Sequence, residues 1–240
     1  MLPPSSSAVR LSVLAGWLLL WPIVQAAPAG IRALILFDMS ESMTAPGSAL
    51  VASFHDRWVG ETQRSLRDVA AHLSPSDRIC VGTFASQIRI EADCLKVRTA
   101  SQLAEAVAVL DQRGAPSPIS DAVRLGAERL FVTRSPEFLD AIIVVTDGLN
   151  SGNSHSIGST ASYSERNGVA VHAIMTLPAL WATSDGPTKG RAFELLRSLA
   201  EAAGGHAKEC GRKNSGEDCS TPRAGIGSLI LQAIEETRKR

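Results

Sequence analysis

The sequence predicts an α/β fold: a doubly wound, mostly parallel central sheet with one antiparallel edge hairpin strand and helices on both faces. Three observations carry that prediction. The apolar runs at 32–37 and 140–145 are continuous rather than alternating, the pattern of strands covered on both faces. Segments with strand character alternate with segments of helical spacing almost throughout, as in a layered α/β domain. Only a few residues separate the strand segments 78–84 and 88–97, so that pair reads as a hairpin and is antiparallel.

The elements follow in order. After the first strand, 48–73 is a long helical stretch in which Leu50, Phe54, Trp58, Leu66, Val69 and Leu73 form an apolar stripe. Ser74-Pro75-Ser76-Asp77 ends it, and the hairpin strands 78–84 and 88–97 follow. A helix at 101–110 puts Leu103, Val107 and Leu110 on one side. The loop 114–118 leads to a helix that runs to about Val132, with Ser117 or Ser120 as its expected cap. The strand 140–145 ends in Thr146-Asp147-Gly148, and a polar loop leads to a Ser-rich helix at 157–166 that Gly168 stops. A strand at 169–177, a surface loop at 178–190 and a helix at 192–203 stopped by Gly204-Gly205 come next. A short edge strand at 206–210, a polar turn at 211–218 and a last helix at 224–237 complete the chain.

The chain has 240 residues, 45% of them hydrophobic, and a formal net charge of zero, enough for one sizeable core. No basic stripe appears, which argues against a nucleic-acid partner. Residues 1–26 read as a secretory signal: Arg10, the apolar segment 11–24, and the small-residue cleavage site Val24-Gln25-Ala26. The apolar segment, broken by Gly16 and Pro22, is short for a membrane span. The expectation is a single domain over 27–240, secreted or periplasmic; an uncleaved membrane anchor is the alternative. Four cysteines fit an oxidising compartment, with Cys80–Cys94 and Cys210–Cys219 the favoured pairs because each is close in sequence. Their spacing does not suit zinc.

Chemistry concentrates in Asp38-Met39-Ser40-Glu41-Ser42, where the first strand stops. Side chains alternate along a strand, so a loop leaving its end is needed to converge Asp38, Ser40 and Ser42 on one point. Three oxygen donors there suit a hard divalent cation; the plain structural alternative is that Asp38 and Ser40 cap the next helix. In doubly wound sheets, ligands sit beyond the carboxyl ends of the strands where strand order reverses. The strands 33–37 and 141–145 both end at an acid, Asp38 and Asp147. If they are neighbours at the sheet centre, and the loop at Ser117 reaches the same edge, then Asp38, Ser40, Ser42, Ser117 and Asp147 surround one position.

Those motifs carry a resemblance. Asp38-Met39-Ser40-Glu41-Ser42 matches D-x-S-x-S, the loop around Ser117 resembles one that carries a threonine, and Ile142 to Gly148 matches a strand ending in T-D-G. In order and spacing they resemble the von Willebrand factor type A domain with a metal-ion-dependent adhesion site. The resemblance implies that Ser40 and Ser42 coordinate a cation directly and that Ser117 takes the threonine position. Asp38 and Asp147 would act through waters or by orienting the serines. It implies Mg2+, with Mn2+ or Ca2+ as other possibilities, and a protein partner whose Asp or Glu carboxylate completes the metal shell.

Two departures stand out. Ser117 lacks the threonine methyl that restricts the rotamer, and Glu41 stands where Gly is common, where it could strengthen cation binding, repel an acidic partner or face solvent. The expectation is a non-catalytic binding module; the alternative is a scaffold whose metal is structural or vestigial. A Mg2+-dependent phosphatase of the haloacid-dehalogenase type needs a second acid where Ser40 stands. A G-x-G-x-x-G turn and a G-x-S-x-G elbow are both missing. His155 reads as a solvated loop residue, and His172 and Trp58 as packing residues. Trp181 is a contact or a loop anchor, and by analogy the last helix is a mobile element.

Overall fold

The computed structural model describes residues 30–44, 51–91, 93–94, 97–112, 114–176, 187–210 and 225–240. The leader 1–26, Trp181 and Cys219 lie outside the described residues. The elements run β1 (Gly30–Asp38), α1 (Glu41–Thr44), α2 (Val51–His72), β2 (Arg78–Phe84), β3 (Ile88–Ile90), α3 (Ala100–Val109) and α4 (Ile119–Val132). They continue with β4 (Phe138–Thr146), α5 (Ile157–Arg166), β5 (Val169–Thr176), α6 (Pro187–Ala202), β6 (Ala207–Cys210) and α7 (Ile226–Arg238).

The strands form one six-stranded sheet in the order β3-β2-β1-β4-β5-β6. Every pairing is parallel except β2 with β3. This is the expected doubly wound architecture. Every residue of β1 is buried, and its alternating side chains feed two cores. Ala33, Ile35 and Phe37 pack with Trp58, Leu66 and Val69 of α2, Leu103 and Val107 of α3, and the apolar face of α7. Leu34 and Leu36 pack on the other side with Ile119, Val123 and Leu130 of α4 and Leu196 and Leu199 of α6.

At the starts of β1 and β4 the register pairs Arg32 with Asp140. Arg32 is fully buried. Its Nε donates to Asp140 Oδ1 at 2.7 Å and its Nη2 to Oδ2 at 2.8 Å. Nη1 and Nη2 also donate to the carbonyls of Thr133 and Leu130, each at 2.6 Å, closing the C-terminal end of α4. A guanidinium inside a run of strand residues is stable there because nearly all its donors are used.

Several sequence expectations need correction. The strand expected at 88–97 stops at Ile90. The carboxylate of Glu91 takes the backbone N–H of Val81 at 2.9 Å and pairs with Arg98 at 2.7 Å, so a side chain replaces the ladder. Cys80 and Cys94 are joined, Cα to Cα 4.7 Å, but Cys94 lies in the loop past that strand rather than opposite Cys80 within it. Cys210 is not free; its expected partner Cys219 is outside the described residues. Neither Ser117 nor Ser120 caps α4: the N-cap position is Pro118, with no side-chain cap bond. The helix expected from 192 begins at Pro187. Among the described residues no helix is long and apolar enough to cross a membrane.

Candidate functional site

The sheet order puts β2 on one side of β1 and β4 on the other, so strand order reverses between β1 and β4. The last residue of β1, Asp38, and the residue after β4, Asp147, therefore meet at the centre of the sheet edge. Asp38 is fully buried. Its Oδ1 accepts the backbone N–H of Ser40 at 2.9 Å. Its Oδ2 accepts the hydroxyls of Ser117 at 2.7 Å and Thr146 at 2.6 Å. Trp58 Nε1 donates to the Asp38 carbonyl at 2.8 Å, which fixes the strand end from the α2 side. The expected packing role of Trp58 thus includes a direct hold on the site.

Asp147 is 2% exposed. Its Oδ1 accepts Leu149 N–H at 2.9 Å, while Oδ2 is buried with no hydrogen-bond partner. The Ser40 and Ser42 hydroxyls are 3.0 Å apart. Ser42 also acts on the Asp147 carboxylate, partly opposing the rise that burial imposes on it. Contacts thus run from Asp147 through Ser42 and Ser40 to Asp38 and on to Ser117. The five residues singled out in the sequence lie in one contiguous network. Glu41, between the two serines, is exposed.

Electrostatics mark the place. Burial, then the nearby Asp147 charge, push the Asp38 carboxyl up to about 6 in spite of its hydrogen bonds. Burial also raises Asp147. Two carboxylates withdrawn from water beside each other disfavour double ionisation. Among the described residues no positively charged side chain pairs with either acid. A divalent cation fits: it would neutralise both acids and use the orphaned Asp147 oxygen and the hydroxyls of Ser40, Ser42 and Ser117. Among the described residues no group of three or more His, Cys, Asp or Glu could hold a metal, so any cation here depends on hydroxyls and water.

The loops around Ser117 and after Asp147 are zipped together. Ser151 N–H donates to the Ser117 carbonyl at 2.8 Å, and Ser117 N–H to Ser151 Oγ at 3.1 Å. Asn153 Oδ1 accepts Ser120 N–H at 2.8 Å, serving as the N-terminal cap that α4 lacks locally. Asp121 accepts the N–H groups of Ser154 at 2.7 Å and His155 at 2.9 Å, and its Oδ1 lies 2.9 Å from His155 Nδ1. His155 is thus exposed, as expected, but paired with Asp121 and not with the site. Gly152 has φ +69°, and a Cβ there would lie 2.5 Å from Pro116 Cγ, so only glycine lets the two loops close.

The sequence reading missed Thr146 as a partner of Asp38, and missed Ser151, Asn153 and Asp121 altogether. One signal was available: a helix starting after Pro118 with no Ser or Asp in cap position needs its cap from elsewhere.

Over residues 34–210 the chain matches the von Willebrand factor type A domain. It belongs to that family. The type A fold is equally plain among solved structures. A von Willebrand factor type A protein from Catenulispora acidiphila is 17% identical, with a TM-score of 0.58, over 88% of this chain and 42% of that one. The conserved hypothetical protein BatB from Bacteroides thetaiotaomicron is 19% identical with a TM-score of 0.55, over 88% of this chain and all of its own. Proximal thread matrix protein 1 from the mussel byssus, with a zinc-occupied adhesion motif, is 16% identical with a TM-score of 0.56, over 89% of this chain and 46% of that one. At these identities the likeness is one of type A fold. No curated protein sequence matches the chain.

Proposed function

We propose that this chain is an exported, non-catalytic, divalent-metal-dependent protein-binding module, with Mg2+ as its cation. The observation that carries the reading is the pair of buried carboxylates, Asp38 and Asp147, which meet where strand order reverses and have no ion pair among the described residues. Ser40, Ser42 and Ser117 would hold the ion through hydroxyls. Asp38 would orient Ser40 and Ser117, and Asp147 would act through its free oxygen or through water. Bound there, the ion supplies a Lewis-acidic position that a partner's Asp or Glu carboxylate can complete. Three neutral serines would leave the ion more electrophilic than a cage of carboxylates would. The non-catalytic reading is supported by the enclosure of Asp38 by Ser40, Ser117 and Thr146. The zinc-occupied motif of the mussel protein supports the cation. The apolar leader read in 1–26 and the Cys80–Cys94 bridge support export.

A second reading has its own support. Asp38 already accepts three hydrogen bonds from within the chain, so a cation could serve only to hold the loops of an envelope scaffold. Ser40→Ala separates the two. Immobilised protein is exposed to extract of its native compartment in Mg2+, then washed with chelator. A contact cation predicts that the captured partner elutes, and that Ser40→Ala captures none while its metal-free melting temperature stays at the wild-type value. A structural cation predicts that capture and melting temperature fall together. Capture that survives the chelator in the wild type contradicts the main reading.

A further inference from the structure

Glu41 is placed to read what lies next to the coordinating acid. It is the first residue of α1, between the two serines of the site, and it is exposed. Its backbone N–H donates to the Gly114 carbonyl at 3.3 Å, which ties the residue between the first two loops. Its carboxylate has no hydrogen bond or ion pair among the described residues, whereas Asp121, in the first turn of α4, is held by Ser154 and His155.

Charge counting gives this acid a consequence. A divalent cation is neutralised by Asp38 and Asp147, the latter with a buried oxygen that no other group satisfies. A partner carboxylate then arrives beside Glu41 with no net positive charge to offset either. Like charges at a rim disfavour a ligand, and an opposite charge restores it, so the effect falls on specificity more than on total affinity.

We infer that Glu41 is a specificity-determining residue that selects a partner segment in which the coordinating Asp or Glu is adjacent to a Lys or Arg, the acid completing the cation shell and the base pairing with Glu41. This rests on the reading under "Proposed function". A segment of consecutive acids is disfavoured. The pairing is solvated, so a preference of about threefold to fivefold is the scale to expect.

The test uses the whole chain in Mg2+ and capped synthetic peptides carrying one Asp flanked by Lys, by Gln or by Glu. Titrations are followed by NMR shifts, which read millimolar affinities. The proposal predicts binding in the order Lys, Gln, Glu, with the order reversed in Glu41→Lys and flattened in Glu41→Gln. Chelator should abolish all binding. Equal affinities for the three peptides, or a Glu41→Lys change that is the same for all of them, overturns the proposal while leaving the metal-dependent reading intact. Binding of none of the peptides, or binding that persists in chelator, overturns that reading and this proposal with it.

Discussion

Strands β1 and β4 lie side by side, and the pair has buried acid at each of its two ends, handled in opposite ways. At the entry end, Asp140 faces Arg32, and a bidentate ion pair with further bonds to Thr133 and Leu130 satisfies nearly everything. At the exit end, Asp38 and Asp147 face each other with hydroxyls and backbone N–H groups but, among the described residues, no cationic side chain. Burying two uncompensated carboxylates is costly, and the fold elsewhere shows how it deals with a buried acid when stability is the only concern. The contrast is what supports the proposal that the exit end keeps its charge for a cation that arrives from outside.

The contrast can be broken from either end. The largest effect is expected at the entry end. Arg32→Met leaves Asp140 buried and unpaired, which should cost about 3–5 kcal/mol, read as a shift in the urea midpoint. At the exit end the same kind of change should behave differently. Asp147→Asn removes a repelling charge, so the metal-free protein should melt no lower than the wild type, while Mg2+ affinity in calorimetry falls by at least about tenfold.

The pH dependence of the metal-free protein is the next largest effect. The Asp38 pKa is raised in the folded state to about 6 from 3.8, so the folded chain holds that proton longer than the unfolded one. Its contribution is therefore greatest below the unfolded value and is lost as pH rises from about 4 to about 6, on the order of 2 kcal/mol. His172 works the other way. Burial holds it down to about 4 from 6.5, so its contribution is complete above 6.5 and is lost as pH falls toward 4. Thermal melts of wild type and Asp38→Asn across this range separate the two, because the substitution removes only the first.

Smaller effects sharpen the picture of how the exit end is held. Asp121→Ala frees the backbone of Ser154 and His155 and unzips the loop that carries Asp147. It should cost about 1 kcal/mol of stability and weaken Mg2+ binding several-fold by calorimetry. Ser117→Thr adds the methyl that restricts the rotamer and should change stability by no more than about 0.5 kcal/mol.

Much of this architecture was legible in the sequence. Continuous apolar runs identified β1 and β4 as strands covered on both faces, and the acids at their ends, with the serines of D-x-S-x-S and Ser117, pointed to one place if the two strands were neighbours, which they are. Those signals are local or lie at strand ends, where topology fixes position. What was not legible depends on pairs distant in the chain. Arg32 opens an apolar run, and its role becomes visible only with Asp140 across the ladder. The α4 cap comes from Asn153, in a loop that follows the next strand, so searching beside the helix pointed to Ser117 and Ser120 instead. The early end of β3 follows from one carboxylate, Glu91, taking a backbone donor that periodicity assigns to the ladder.

The most direct measurement is the melting temperature of chelator-stripped protein at neutral pH, with and without millimolar Mg2+, for wild type and Asp147→Asn side by side. The account predicts that Mg2+ raises the wild-type value and leaves Asp147→Asn unchanged. A wild-type melting temperature that does not respond to Mg2+, Mn2+ or Ca2+ would contradict it.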